Sequence, residues 1–343
     1  MRPLIAVLAV SAALISPARA QAPAGELALV CSFLEEWCRL MATEFERETG
    51  MRVAMLRKST GEAYAQIKAE AQRPRIDVWW GGTGDPHVQA AADGLTEAYR
   101  SPRLAELRPW AREQAEATGY RAYGVIAGAL AVAYNAPALR AKNIAPPRCW
   151  ADLADPRFKG LIQSNDPTAS GTGYAYLATV VTLMGEDGAF AYLKQVHANV
   201  NSYARSGSIP ARSVATGESP VGITFLDNAL FQMAQGARDM VPFAPCEGTS
   251  FEVGSMSIVK GARNLDGAKR FHDWALSAAA QALGVKARMS FSIPSNMNAP
   301  LPEGLPDPAT IKTVDYDHAR FGDPQTRSRL LRRFETEIRG NAP

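Results

Sequence analysis

The sequence predicts an α/β protein of two lobes, and three observations carry that expectation. Between Glu26 and Asp93, short apolar runs alternate with segments of helical periodicity. Such a βαβαβ pattern implies a parallel sheet with helices on both faces. Two longer apolar runs, Gly124–Asn135 and Phe251–Val259, are placed to carry the chain from one lobe to the other and back. A strand, a turn of small polar residues and a helix follow one another at three places: Ser59-Thr60-Gly61-Glu62, Gly81-Gly82-Thr83-Gly84 and Ser170-Gly171-Thr172-Gly173.

The elements follow in order. Glu26–Cys31 is a short apolar strand. Leu40, Met41 and Phe45 share one face of a helix over Glu36–Thr49, which Gly50 stops. Arg52–Leu56 alternates as a second strand, and Ser59 caps a helix to about Gln72. Ile76–Trp80 is the third strand, so Trp79 and Trp80 point to opposite faces, one into the core and the other a candidate for a cleft. A tight glycine turn then leads to a helix opened by Asp85-Pro86 and closed by Gly94. Gly124–Asn135 reads as one or two buried strands. Beyond Pro146-Pro147 come a small helix at Trp150, a strand over Leu161–Ser164, and helices over Ser170–Met184 and Glu186–His197. Ser213–Gly217 reads as a helix end, Val221–Leu226 as a strand with Asp227 at its C-terminal end, Asn228–Gln235 as a helix and Met240–Pro245 as a strand. Helices over Leu265–Ser277, Ala278–Arg288 and Pro324–Ile338 close the chain. The expected division is a first lobe over residues 21–125, a second over 126–246, and a return over 247–343 that completes the first lobe and adds the C-terminal helices.

Residues 1–20 read as a cleaved secretory signal: Arg2, an apolar run from Leu4 to Ile15 too short to span a bilayer well, and the small-x-small site Ala18-Arg19-Ala20. Removing Arg2 and Arg19 from the 37 basic residues leaves 35 against 34 acidic ones. No basic block suggests nucleic acid or a membrane surface, and no later apolar run is long enough to span a membrane. An exported, soluble monomer is expected. Export places the four cysteines in an oxidising compartment, where they pair. Three pairings are open; the expected one is Cys31–Cys38 with Cys149–Cys246.

In an open parallel sheet, ligands sit beyond the C-terminal ends of the strands, where the three polar turns lie. Backbone amides and hydroxyls at a helix start suit an anion without needing a basic side chain. Ser59, Thr60 and Gly61, Gly82 and Thr83, and Ser170, Gly171 and Thr172 are therefore the candidate ligands of an anionic head. Ser32, after the first strand, faces the same cleft. Asp227 and Glu247 are candidates for the rest of the ligand, since carboxylates accept from hydroxyls.

Several motifs give the chain a likeness beyond this pattern: Arg57-Lys58-Ser59-Thr60-Gly61-Glu62, Trp79-Trp80-Gly81-Gly82-Thr83-Gly84-Asp85-Pro86, Ser170-Gly171-Thr172, His197-Ala198-Asn199-Val200-Asn201, Cys246-Glu247-Gly248-Thr249 and Glu252-Val253-Gly254-Ser255-Met256-Ser257. With them the chain resembles the periplasmic solute-binding proteins of ABC importers, in the branch of ferric-iron binders that also holds binders of sugar phosphates and phosphonates. The resemblance implies a type II fold, two lobes closing like a hinged clamp, and delivery to an inner-membrane permease. Sugar-phosphate binders of this branch carry a His-Asp pair where this chain has Leu226-Asp227, a departure that favours a ligand with an apolar portion. Ferric sites in the branch use adjacent tyrosines; here Tyr174, Tyr176 and Tyr203 are isolated, and the four histidines show no metal spacing. Ferric iron is thus the alternative ligand, and no metal ligand is assigned. An enzyme is not expected. There is no Gly-x-Ser-x-Gly elbow. Gly82-Thr83-Gly84 lacks the third glycine of a dinucleotide fingerprint, and Cys31 and Cys38 are wrongly spaced for a redox pair. No catalytic residue and no cofactor are assigned.

Overall fold

Residues 25–340 are described by the computed structural model. The signal segment and its cleavage site lie outside them. The chain runs β1 (Leu27–Cys31), α1 (Glu35–Thr49), β2 (Val53–Arg57), α2 (Thr60–Ala69), β3 (Val78–Thr83), α3 (Gly84–Ala92), α4 (Pro109–Ala117) and β4 (Tyr123–Asn135). Next come α5 (Ala136–Ala141), β5 (Ile162–Asn165), α6 (Gly171–His197), β6 (Val200–Ala204), α7 (Ile209–Thr216), β7 (Val221–Phe225), α8 (Leu226–Ala234) and β8 (Met240–Phe243). The return consists of β9 (Phe251–Ile258), α9 (Leu265–Ala275), α10 (Ala278–Lys286), β10 (Ile293–Pro294), α11 (His318–Gly322) and α12 (Pro324–Arg333).

The strands form one path, β2-β1-β3-β9-β4-β7-β5-β6, with β8 and β10 also paired to β4. β4 divides it. Its first half, Tyr123–Ala129, pairs with β9, and its second half, Leu130–Tyr134, pairs with β7. β1 runs parallel to β2 and β3 in the first lobe, and β5 parallel to β6 and β7 in the second. Each lobe therefore presents the C-terminal ends of parallel strands to the seam. β9 lies wholly within the first sheet, so the return crossing is not the apolar run itself. It is made just before the run, where Thr249 Oγ1 donates to Leu130 O (2.8 Å) and Leu130 N to Ser250 O (3.0 Å).

Separate cores sit on either side of the seam. Leu29, Phe45, Val78, Trp80, Met256 and Phe271 are among the buried residues of the first, and Trp150, Phe158, Tyr174, Phe190, Val221 and Ile223 among those of the second. The C-terminal segment packs on the second lobe. Leu330, Phe334 and Ile338 join the second-lobe core, and Arg339 Nη1 donates to Asp166 Oδ2 (2.7 Å) in the loop before α6. The break between the two expected helices of α6 falls at Gly185, whose φ of 70° lies in the left-handed region. Both disulfides formed as expected, Cys31–Cys38 and Cys149–Cys246.

Candidate functional site

The first turn of the site is built by a capping box. Ser59 caps α2, and its hydroxyl donates to Glu62 Oε2 (2.7 Å), which also accepts from the Ser59 amide (3.3 Å). The second turn is not a turn but a bulged extension of β3. Gly81 and Gly82 have φ of 96° and 86°, and the register with β9 shifts between Trp80 and Thr83. Only glycine serves at 82: a Cβ there would lie 2.4 Å from Thr60 Oγ1, besides the unfavourable φ. His87 holds the bulge, with Nε2 3.1 Å from Gly81 O and Nδ1 2.9 Å from Ser257 Oγ. The third turn is the start of α6, where Ser170 Oγ accepts from Gly173 N (3.4 Å). The amides of Gly171 and Thr172, in the first helical turn, have no carbonyl of their own helix to bond.

These turns meet across the seam, and the lobes are closed on one another. Gly61 N donates to Ala169 O (2.9 Å), Arg57 Nη2 to Ser206 Oγ (2.9 Å), and Arg205 to Glu62 Oε1 (2.7 and 3.0 Å). A Cβ on Gly171 would lie 2.1 Å from Thr83 Oγ1 and 2.9 Å from Thr60 Oγ1. Between the lobes lies a cleft that is partly open to solvent.

The cleft has one polar and one apolar wall. Arg57, Thr60, Thr83, Ser170, Gly171 and Thr172 make the polar one. Thr83 Oγ1 is buried without a partner among the described residues. Phe33 and Trp37, stacked with centroids 4.5 Å apart, form an apolar wall with Ile126 and Phe225. Two acids complete the lining. Asp227 accepts from Ser292 Oγ (2.8 Å) and the Asn228 amide (2.8 Å); burial raises its pKa against those bonds. Glu252 accepts from Gly84 N (2.8 Å) through Oε1, and burial followed by the charge of Asp85 pushes it up to about 8.

Of the sequence-derived candidates, Ser32, Ser59, Thr60, Gly82, Thr83, Ser170, Gly171, Thr172 and Asp227 all line this cleft. Two have other employment. Gly61 is spent on the contact with Ala169. Ser59's proton is committed to Glu62, so its hydroxyl has none left for an anion. Glu247 is a correction: its carboxylate caps the short helix at Ala151–Ala154, accepting from Trp150 N (2.8 Å) and Ala151 N (2.8 Å), and it is not among the cleft-lining residues. Asp227 sits in the first turn of α8 rather than ending a strand. Neither Trp79 nor Trp80 lines the cleft. Trp80 is packed in the first-lobe core, and Trp79, buried on the other face, reaches the site only by donating to Ser32 Oγ (3.0 Å). Arg57, Glu252 and Ser292 were missed. Arg57 ends β2, so the strand-end rule could have found it.

One group of possible metal ligands lies behind the cleft wall: Asp85, Glu252 and His318 offer atoms within 4.8 Å of one another. Tyr316 O–H already donates to Asp85 Oδ2 (2.5 Å), and the positive charges of His318 and Arg327 oppose those of the acids.

Comparison with known proteins agrees with this architecture. Residues 84–320 match the family model described as bacterial extracellular solute-binding protein. An uncharacterized protein of Haemophilus influenzae is 38% identical over 97% of this chain and 96% of its own length. The periplasmic binding protein AfuA from Actinobacillus pleuropneumoniae, solved with exogenous fructose-6-phosphate bound, is 40% identical with a TM-score of 0.89, covering 92% of this chain and 99% of that one. The periplasmic binding protein P5PA is 34% identical with a TM-score of 0.88, covering 92% and 99%. The chain therefore belongs to the bacterial extracellular solute-binding proteins, the periplasmic components of ABC transporters, with the two-lobe type II fold.

Proposed function

We propose that the protein captures a small organic anion, a phosphate ester, phosphonate or carboxylate, and hands it to its permease. One observation carries the reading: the start of α6 stands against the unpartnered Thr83 hydroxyl and Thr60 across the closed seam, with Arg57 lining the same cleft. Amides at a helix start, hydroxyls and one guanidinium are the donor set of a phosphate-type head. The fructose-6-phosphate bound to AfuA supports the same class. The Phe33–Trp37 wall suits a ligand with an apolar portion, Asp227 accepts from its hydroxyls, and Glu252 places a carboxyl group beside them. For ferric iron the lining offers those two acids, with no tyrosine or histidine among the lining residues described. The lobes, divided within β4 between Ala129 and Leu130 and with the C-terminal helix packed on the second, hinge about β4 and the Thr249–Ser250 crossing. The chain is exported by its signal segment, cleaved near Ala20, and acts as a monomer that binds its solute without transforming it.

A thermal-shift screen of phosphate monoesters, phosphonates and carboxylates tests this. A member of the class at 100 times its dissociation constant adds about 2.7 kcal/mol of stability. A visible charge-transfer band on ferric addition, with no stabilisation by any anion, would replace the reading with iron.

A further inference from the structure

The segment Arg205-Ser206-Gly207-Ser208, immediately after β6, lies along the seam, and three of its residues meet the other lobe or the anion site. Ser206 takes the Arg57 bond. A Cβ on Gly207 would sit 1.9 Å from Thr172 Oγ1, so the strand end can approach the start of α6 only as glycine. Arg205 reaches Glu62 of the opposite lobe. Glu62 works in two directions: Oε2 fixes the Ser59 cap, and Oε1 takes both Arg205 bonds. It also stands two residues after Thr60, in the first turn of α2 beside the polar wall. Arg57 of the same lobe offsets part of its charge, and the remainder repels an anion held there until Arg205 matches it. The two residues belong to different lobes, so the match exists only when the lobes meet.

We propose that Arg205 and Glu62 form a charge-neutralising latch: closure brings Arg205 onto Glu62, removes a repulsive charge from beside the anion site and so favours retention of an anion. The latch deepens the anion reading and rests on it. It predicts a role in binding out of proportion to stability, because a partly exposed ion pair by itself contributes little to folding. Arg205 and Glu62 are positioning residues here, since neither needs to touch the solute.

The test is a double-mutant cycle with fructose-6-phosphate as the probe in calorimetry. Glu62→Gln is the suitable partner variant because glutamine keeps the capping box. At low ionic strength Arg205→Gln should weaken binding by ~3–10-fold, and in the Glu62→Gln background the same change should cost no more than ~2-fold. The loss should also shrink at high ionic strength. An equal loss in both backgrounds, or no loss at all, overturns the latch. If the wild-type protein binds no fructose-6-phosphate, this sugar phosphate is not its solute, and the wider anion reading stands or falls by the thermal-shift screen. The latch is then read without ligand, from inter-lobe distances between spin labels at Ala69→Cys and Arg212→Cys. Arg205→Gln should deplete the short-distance population; an unchanged distribution overturns the proposal.

Discussion

Arg57 and Glu252 face the same cleft and make opposite demands on its occupant. Arg57 is held by Phe33 O (3.1 Å) and Ser206 Oγ, and burial lowers its pKa without discharging it. Glu252, pushed up to about 8, is largely protonated at neutral pH and adds little negative charge to the cleft. An anion is therefore tolerated beside Glu252. Replacing Ser170 and Thr172 together by alanine should weaken anion binding by ~2–4 kcal/mol through two lost charge-assisted hydrogen bonds, as read by calorimetry. His87 gives a pH prediction. The Gly81 carbonyl can only accept, so Nε2 carries the proton and the ring is neutral, and burial lowers its pKa from 6.5 to about 3. Between those values the unfolded chain binds the extra proton, so this contribution to stability is complete above about 6.5 and is lost as pH falls towards 3. Thermal unfolding followed from neutral to acid pH should show this fall. His87→Gln should flatten it only in part, since buried His272 is shifted the same way. At this scale the small polar residues were legible, because Ser, Thr and Gly at a helix start have few other reasons to cluster. Glu247 was misplaced because an acid after a strand reads the same whether it faces a ligand or caps a neighbouring helix.

The helix starts are the site's working elements, and their glycines set how closely the lobes approach. At Gly171 both branches of Thr83 stand in the way of a Cβ, Oγ1 at 2.1 Å and Cγ2 at 3.0 Å, so turning the threonine does not relieve the clash. Gly171→Ala should leave ligand-free stability within ~0.5 kcal/mol, because the open form has room. It should lower anion affinity by about tenfold or more by holding the lobes apart. Calorimetry and thermal unfolding on the same variant separate the two effects. Most elements were readable from period and punctuation, including the α6 break at Gly185. The end of β3 was not. A Gly81-Gly82 pair signals a turn, and whether the strand continues through it depends on pairing with β9, more than 150 residues later. β6 is also set by its partner: β5 supplies the ladder that makes Val200–Ala204 a strand.

At the scale of the molecule, two lobes with separate cores share β4, and covalent ties secure the region where the chain returns. Cys149–Cys246 closes a loop across a sequence separation of 97 and joins the segment before the return crossing to the helix that Glu247 caps. Its reduction should cost ~3–5 kcal/mol, while Cys31–Cys38, with a separation of 7, should contribute less. Urea unfolding of the single-bridge variants measures both. The two-lobe plan was legible because βαβ alternation and two apolar crossings leave few arrangements. The docking of the C-terminal helices was not. Leu330, Phe334 and Ile338 form an apolar stripe, but a stripe does not state which of two cores it covers. The central claim is that the seam between these lobes holds a phosphate-type anion through the start of α6 and Arg57. Its most direct measurement is a calorimetric titration of the phosphate ester, phosphonate or carboxylate that most stabilises the wild-type protein in the thermal-shift screen, into the wild-type protein and into a variant combining Arg57→Gln, Ser170→Ala and Thr172→Ala. The account predicts one-to-one binding to the wild type that the variant loses. Undiminished binding by the variant would contradict it.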